Sequence, residues 1–394
     1  MPRVWQQPLP DIYTRLSDAE LRLRIQDARE RPGRRLVILG HHYQQDAVLE
    51  FADFVGDSFE LSRNAASQKD AEYVIFCGVH FMAESADILT PPGVQVILPD
   101  LGAGCSMADM ANLDQTEDCW AQLAEQCPGQ VVVPITYMNS SAAIKAFVGE
   151  HGGAVCTSSN CAAVLQWALG GGANGLGNGQ PVKVLFLPDQ HLGRNTAFSL
   201  GFGLERMCVW DPTAALGGND ADTLARSQFI LWKGHCSVHQ LFRPEHVDQA
   251  RQRYPGIRVM VHPECRWDVV QKADLSGSTA AIVKAIESAP PGSQWAVGTE
   301  VHLITRLARQ HPEQRIVVLS DCQCLCTTMF RIDLPHLCWA IENLEQGHVV
   351  NPIKVDDHTR HWATVALQRM LNIRAGPNPP ESTGPQALRM QTID

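Results

Sequence analysis

The sequence has 394 residues, of which 45% are hydrophobic, and it carries a formal net charge of −10. This length allows about two or three domains with buried cores, and the acidic balance argues against a nucleic-acid-binding protein. The N-terminus has no apolar signal-peptide core, and no apolar run reaches the roughly 18 residues of a membrane span. We therefore expect a cytoplasmic protein that contacts neither nucleic acid nor membrane.

Residues 1–35 are predicted to form an N-terminal helical segment, in which Ser17 and Glu20 make a capping-box pattern. The first α/β repeat, at 36–105, begins with a β-branched run that leads into His41 and Tyr43. A helix start at Ser58 follows, and the last strand-like run of the repeat leads to Cys105.

Two further stretches repeat this order. Residues 106–236 form the second repeat, with a surface-loop insertion expected at about 205–226. The third repeat covers 237–326. His41 and Cys105 are 64 positions apart (105 − 41), and so are His262 and Cys326 (326 − 262). The regular spacing indicates three related units.

The predicted strands are continuous runs of Val, Ile and Leu, a pattern typical of parallel sheets covered on both faces. We predict an α/β protein with three similar three-layer α/β/α domains, in a pseudo-threefold arrangement around a central active site. Residues 327–374 are predicted to form a helical closing segment, and 375–394 a disordered tail.

The chain contains 13 cysteines, which are expected to be reduced thiols in a protein without an export signal. Eight lie in or beside apolar segments and are expected to have no special role: Cys77, Cys119, Cys127, Cys156, Cys161, Cys208, Cys265 and Cys338. By contrast, Cys105, Cys236 and Cys326 each follow a strand-like run. Three converging thiolates would suit an iron–sulfur cluster with one open iron, or zinc with a fourth ligand. His235 and His239 could be that ligand or could support the site.

Polar residues at the predicted strand ends are candidates for proton transfer or substrate binding. His41, Tyr43, His262 and Glu264 are the proton-transfer candidates, and Tyr137 and Asn139 could add hydrogen bonds. Helix starts can bind carboxylate or phosphate, which favours a small anionic substrate. The predicted helix starts are at Ser58, Ser158, Ser278 and Thr279.

About ten motifs, in order, resemble those of the quinolinate synthase family, whose members make quinolinate for NAD biosynthesis. They are GHHYQ, GDS, GVHFMAES, AGCSMADM, YMNSSAAIKA, VCTSSN, LPDQHLGRNTA, KGHCSVH, HPEC, GST and the final CTTM. The resemblance implies a 4Fe–4S cluster in a central funnel. It also implies condensation of iminoaspartate with dihydroxyacetone phosphate to quinolinate, phosphate and two waters.

Carried over residue by residue, the resemblance implies three sets of site residues. The cluster ligands are Cys105, Cys236 and Cys326. The substrate-binding residues are His41, Ser58, Tyr137, Asn139, Ser158, His262, Glu264, Ser278 and Thr279. The catalytic residues are Glu264, Tyr43, His41 and His262.

Several alternatives stay open at this point. Cys324 could replace Cys326 as the third ligand. The protein could be another 4Fe–4S hydro-lyase acting on a small hydroxy acid, or a non-catalytic metal-binding protein. L-Aspartate oxidase is a conceivable partner, because iminoaspartate is unstable and needs a supplier.

Overall fold

The computed structural model describes residues 6–32, 35–175, 181–321 and 325–373. The chain forms two compact units. One contains the residues up to Cys105 together with Cys326–Arg360, and the other contains Ser106–Leu325 and the chain from His361. The predicted disordered tail at 375–394 and the alternative ligand Cys324 lie outside the described residues.

The described residues contain strands and helices in alternation along most of the chain. The strands are β1 (Leu36–His41), β2 (Phe54–Gly56), β3 (Tyr73–Cys77), β4 (Gln95–Ile97), β5 (Val131–Tyr137), β6 (Ala154–Cys156), β7 (Val182–Leu187), β8 (Met207–Trp210), β9 (Phe229–Trp232), β10 (Arg258–Val261), β11 (Leu275–Ser276), β12 (Gln294–Gly298), β13 (Arg315–Val318) and β14 (Pro352–Ile353). The helices are α1 (Asp11–Thr14), α2 (Asp18–Glu30), α3 (Asp46–Leu49), α4 (Ser58–Ser67), α5 (His80–Leu89), α6 (Leu113–Gln126), α7 (Ala142–Glu150), α8 (Cys161–Leu169), α9 (Gln190–Ser199), α10 (Ala221–Arg226), α11 (Pro244–Arg253), α12 (Trp267–Lys272), α13 (Thr279–Glu287), α14 (Val301–Gln310), α15 (Leu334–Glu345) and α16 (Asp357–Asn372).

The strands of each predicted repeat build one sheet. The first unit holds a sheet of order β14-β4-β3-β1-β2, and the second unit holds sheets of order β6-β5-β7-β9-β8 and β11-β10-β12-β13. The pairs within each repeat are parallel, whereas β14 runs antiparallel to β4. The prediction of an α/β protein with mostly parallel sheets between helices is confirmed. The domain boundaries and the pseudo-threefold arrangement stay predictions.

The internal repeat is visible in the strand order. When the edge strands β8 and β14 are left out of the count, each sheet contains its fourth, third, first and second strand side by side: β4-β3-β1-β2, β9-β7-β5-β6 and β13-β12-β10-β11. All residues of β1 and β7 are buried, which explains why the central strands are continuously apolar instead of alternating. Helical crossovers connect such parallel neighbours, so the carboxyl ends of these strands lie along the same edge of each sheet.

The segment 205–226 corrects one prediction, because it is not a surface loop. Met207–Trp210 forms β8, which pairs in parallel with β9 at the sheet edge, and Ala221–Arg226 forms α10. Lys183 is buried, and its Nζ donates to the carbonyls of Leu224 at 2.7 Å and Ala225 at 2.9 Å. A buried ammonium thus satisfies carbonyls at the C-terminal end of α10.

Side-chain caps explain where several helices begin. Ser17 and Glu20 form the predicted capping box of α2, and Asp57 caps α4, which begins at Ser58 as predicted. Ser278 caps α13 by accepting the N–H of Ala281. Ser158 differs from the prediction, because it lies in a turn three residues before α8, whose N-cap position is Asn160. None of the described helices combines the length and apolar character that crossing a membrane requires.

Candidate active site and metal ligands

In each of the three sheets, two predicted site residues lie at or just beyond the end of the first strand. One residue separates the two members of each pair. The pairs are His41 with Tyr43 after β1, Tyr137 with Asn139 after β5, and His262 with Glu264 after β10. The strands β1, β5 and β10 occupy the same place in their sheets. The repeat therefore places six polar side chains at equivalent carboxyl ends of parallel strands, where α/β proteins bind ligands.

The predicted serine sites follow the same rule at the short second strands. Ser58, Ser158 and Ser278 each lie two residues beyond the end of β2, β6 and β11. Ser58 and Thr279 are the first residues of α4 and α13, which have 10 and 9 residues. Ser158 keeps the equivalent position even though α8 begins later. The three serines are therefore equivalent in their distance from the preceding strand, and they do not share a helix-capping role.

The three predicted ligand cysteines stand at the same distances from the two elements that follow them in the chain. A 3₁₀ turn begins three residues after each cysteine, at Ala108, His239 and Met329. An α-helix begins eight residues after each cysteine, at Leu113, Pro244 and Leu334. The same turn hydrogen bond recurs in all three, from N–H of Met110 to Met107 at 3.1 Å, of Leu241 to Val238 at 3.2 Å, and of Arg331 to Thr328 at 3.3 Å.

Exposure divides the described cysteines into two classes. Cys105, Cys236 and Cys326 are partly exposed, whereas the other eight described cysteines are buried. Burial raises the pKa of a buried thiol such as Cys77, to about 12, and this disfavours the thiolate that a metal needs. Among the described cysteines, the three partly exposed thiols are therefore the best suited to ligate a metal.

Within the second unit, Glu264 lies at the centre of a buried polar group. Its Oε2 is 2.6 Å from Nδ1 of His239 and 3.9 Å from Nδ1 of His262. The rings of these two histidines stack with centroids 4.5 Å apart, and Tyr137 donates a hydrogen bond to the Glu264 carboxylate. The ends of β5 and β10 thus meet at one carboxylate.

Electrostatics favour an ionised Glu264 beside a neutral His262. Burial alone would raise the pKa of Glu264, but the adjacent His239 and His262 and the hydrogen bonds from His239 and Tyr137 outweigh it and lower that pKa to about 2. Burial and the neighbouring His239 lower the pKa of His262 to about 3. The site therefore contains a buried carboxylate base and an uncharged imidazole at neutral pH.

Backbone contacts also fix how two imidazoles are protonated. The N–H of Glu264 donates to Nδ1 of His262 at 3.3 Å, and the N–H of Tyr43 donates to Nδ1 of His41 at 3.2 Å. A ring nitrogen that accepts a hydrogen bond carries no proton. The proton of the neutral ring therefore lies on Nε2, which can donate to a substrate oxygen.

Asn139 supplies an acceptor that faces inward. Its Oδ1 is buried and has no hydrogen-bond partner among the described residues. Buried polar atoms are almost always satisfied in folded proteins, so this oxygen favours a ligand or a water as its partner. The observation agrees with the predicted binding role of Asn139.

Two buried residues near this site were not predicted from the sequence. Asp189 precedes α9 and accepts the N–H groups of His191 and Leu192, and Asn195 lies within α9. Asp189 could have been recognised as a helix cap, since it stands just before a helical run. Asn195 acts through contacts with a distant loop, which no local pattern reveals.

Three donor groups of the second unit lie close together, but their spacing does not suit a zinc ion. Cys236, His239 and Glu264 offer ligand atoms within 4.8 Å of one another. Two ligands of a tetrahedral zinc ion lie about 3.3 Å apart, whereas His239 Nδ1 and Glu264 Oε2 are at hydrogen-bond distance, 2.6 Å. The other ring nitrogen of His239 is 3.2 Å from Thr299 Oγ1. His239 is therefore placed to interact with Glu264 and Thr299, which leaves the thiols as the candidate ligands.

Comparison with known families gives a match over most of the chain. The sequence profile described as Quinolinate synthetase A protein matches residues 23–372. The match includes all three repeats and every predicted site residue.

Curated relatives are similar over nearly their whole length. A quinolinate synthase of Acidobacterium capsulatum is 56% identical over 92% of this chain and 96% of the relative. A quinolinate synthase of Corynebacterium glutamicum is 52% identical over 96% of this chain and 94% of the relative. One of Rhodopirellula baltica is 51% identical over 92% and 93% of the two chains.

Proposed function

This chain belongs to the quinolinate synthetase A protein family, whose members are enzymes, and we propose that it makes quinolinate for NAD biosynthesis. The proposed substrates are iminoaspartate and dihydroxyacetone phosphate. Their condensation gives quinolinate, one phosphate and two waters, which balances all atoms. The buried Glu264 carboxylate is the observation that carries this proposal, because condensation and dehydration both need a base that removes protons from carbon.

The proposed cofactor is a 4Fe–4S cluster held by Cys105, Cys236 and Cys326. Their common register and partial exposure support this ligand set. The register also favours Cys326 as the third ligand, since it stands three residues before a 3₁₀ turn as Cys105 and Cys236 do. When bound, a cluster with three cysteine ligands supplies an open iron that acts as a Lewis acid toward a substrate oxygen.

Glu264 is proposed to be the general base. Hydrogen bonds from His239 and Tyr137 hold its carboxylate ionised, so it can accept a proton from the substrate carbon during enolisation. The sequence assigns a second proton-transfer role to Tyr43, whose phenol could protonate the leaving oxygen during dehydration. That role for Tyr43 stays a prediction.

The remaining predicted residues are proposed to bind and orient the substrates. His41 and His262 would donate from Nε2 to substrate oxygens, because Nδ1 of each ring accepts a backbone N–H. The residues proposed for the carboxylate and phosphate groups are Ser58, Tyr137, Asn139, Ser158, Ser278 and Thr279. Helix N-termini at Ser58 and Thr279 suit such anions.

Iminoaspartate hydrolyses readily in water, so an enzyme that oxidises aspartate must supply it. We propose L-aspartate oxidase as that supplier and the cytoplasm as the compartment.

The decisive experiment is an anaerobic assay with the full chain, iminoaspartate and dihydroxyacetone phosphate. The wild-type protein should form quinolinate and contain about four irons per chain. Glu264→Gln should lower turnover at least about 10²-fold while leaving the visible absorbance of the cluster intact. Glu313→Gln, at an exposed carboxylate beside His311, is the matched control and should keep wild-type activity.

Three outcomes would contradict the proposal. Near-normal turnover of Glu264→Gln would remove Glu264 as the base. One zinc per chain in place of iron would remove the cofactor. Dehydration of a small hydroxy acid without quinolinate formation would point instead to an iron–sulfur hydro-lyase.

A further inference from the structure

Helix α9 begins at a contact with the Cys236 turn. The carboxylate of Asp189, at the N-cap, accepts the N–H groups of His191 and Leu192, each at 2.7 Å. The backbone N–H of Cys236 also lies close to this carboxylate and favours its charged form. One buried side chain therefore contacts both the start of the helix and the backbone of the proposed ligand.

Backbone contacts reinforce this junction. The N–H of Gln190 donates to the carbonyl of Gly234 at 3.0 Å, and Asp189 and Gly234 form an isolated parallel bridge. A Cβ atom at Gly234 would approach the carbonyl oxygen of Pro188 to 2.2 Å. Glycine is therefore required for this close approach, and the turn before Cys236 is held tightly against α9.

Six residues beyond Asp189, Asn195 holds a second loop. Its Nδ2 donates to the carbonyls of Pro263 and Cys265, both at 2.8 Å. These two carbonyls flank Glu264, and Asn195 is buried. The amide therefore fixes the backbone on both sides of the proposed base.

This pair of residues belongs to the middle repeat. The helices α5 and α14 begin three residues after the third strands of their sheets, as α9 does. Their equivalent positions hold Val79 and Ser85 in α5, and Glu300 and Arg306 in α14. The acidic N-cap recurs in the third repeat, where Glu300 accepts the N–H groups of His302 and Leu303, whereas the asparagine occurs only in the middle repeat.

We propose that α9 is a positioning element, in which Asp189 orients Cys236 for metal binding and Asn195 orients Glu264 for proton transfer. The proposal rests on the proposed function, since it takes Glu264 as the base and Cys236 as a ligand. Both are positioning residues, because each acts on the backbone of another residue. Displacement of a catalytic group by about 1 Å can lower the rate about 10²-fold, so such backbone anchors affect the reaction directly.

The Asp189 half is tested on the anaerobically purified full chain with Asp189→Ser. Serine still caps a helix, but its side chain is too short to reach Cys236 as well. Asp220→Ser is the matched control, because Asp220 caps α10 through the N–H of Thr223. We expect Asp189→Ser to lose iron and sulfide to a chelator at least about fivefold faster than wild type, and Asp220→Ser to lose them at the wild-type rate. Equal rates for both variants would overturn the Asp189 assignment.

The Asn195 half is tested with Asn195→Ala. Asn219→Ala is the matched control, because the Asn219 amide also donates to backbone carbonyls, those of Val209, Leu216 and Gly217. We expect kcat of Asn195→Ala to fall at least about tenfold, with KM within about twofold and iron content unchanged. Asn219→Ala should keep kcat. If Asn195→Ala does not fold, Asn195→Leu, which keeps the side-chain size, takes its place. A wild-type kcat, or an equal loss in the control, would overturn the Asn195 assignment.

Failure of the proposed function and failure of the positioning role give different experimental results. If the wild-type protein forms no quinolinate, the proposed function fails and the Asn195 assignment falls with it, while Asp189 is still judged by iron retention. If the wild-type protein forms quinolinate and both variants behave as their controls, only the positioning role of α9 is overturned.

Discussion

The strand ends at His41 and at His262 share one backbone geometry but carry different chemistry. In both, Nδ1 of the histidine accepts the N–H two residues later, at 3.2 Å and 3.3 Å. That second residue is Tyr43 in the first unit, whose ring meets His41 edge-on at 4.8 Å between centroids. In the second unit it is Glu264, buried beside His239. The repeat thus preserves how the imidazole is held, and varies the group next to it.

This difference indicates how a duplicated scaffold can diversify. The backbone hydrogen bond fixes the ring orientation and leaves Nε2 as the nitrogen that can donate, so the two histidines are held in the same way. The residue two positions after the histidine is then a phenol in one case and a carboxylate in the other. These groups have very different ordinary pKa values, so the first suits the role of an acid and the second that of a base.

The largest effect should come from removing the Nε2–H donor that His41 and His262 share. His41→Asn and His262→Asn each keep an oxygen that can accept the backbone N–H, but lose the Nε2–H donor. Each should lower kcat about 10²-fold without a loss of thermal stability, as measured by quinolinate formation and thermal unfolding.

His246→Asn is the matched control for these variants. Nδ1 of His246 also accepts a backbone N–H, that of Arg243 at 3.1 Å, but it caps α11 instead of following a first strand. This control should keep wild-type kcat. Unfolding of both site variants with an active control would mean that the two histidines are structural.

A smaller effect is expected from changing the variable position in the first unit. Tyr43→Phe keeps the ring that packs against His41 and removes only the phenol. We expect kcat to fall about tenfold, the equivalent of one lost hydrogen bond of about 1.4 kcal/mol. Tyr73→Phe, at the start of β3, serves as the control. Unchanged turnover for Tyr43→Phe would leave proton transfer to Glu264 alone.

The smallest effect concerns a neighbour of Glu264. Tyr137→Phe removes a hydrogen bond that helps to lower the pKa of Glu264. Losing a donor to the charged form raises this pKa, so the base is protonated at higher pH. The acidic limb of the pH–rate profile should therefore move upward by about half a pH unit to one unit. A limb that stays in place, or moves to lower pH, would contradict the contact.

Much of the fold could be predicted because the central strands are strongly apolar and regularly spaced. The strands β1, β5 and β10 lie where the Val/Ile/Leu runs indicated. The short strands β2, β6 and β11 were not predicted, since two or three residues give no periodicity. β8 was mistaken for loop because Met207–Trp210 is a short run among polar residues, and only its pairing with β9 makes it a strand.

The site was predictable where residues repeat along the chain, and not where it depends on tertiary contacts. The pairs at the strand ends follow from counting from one repeat to the next. The stacking of His239 on His262 and the hydrogen bond from Tyr137 to Glu264 join different elements. Nothing local in the sequence requires these contacts. The same is true of the hydrogen bonds from Asn195 to the carbonyls of Pro263 and Cys265.

The third cysteine turn differs from the others in what supports it. In the described chain, β4 and β9 each lie between two strands, because β14 and β8 were added outside them, whereas β13 is the edge of its sheet. An edge strand has half of its backbone groups without a ladder partner, so it opens more readily in local unfolding. Amide hydrogens of β13 should therefore exchange with solvent sooner than those of β4 and β9. Of the three strands that precede the proposed ligand cysteines, the one before Cys326 is therefore expected to be the least protected against local opening.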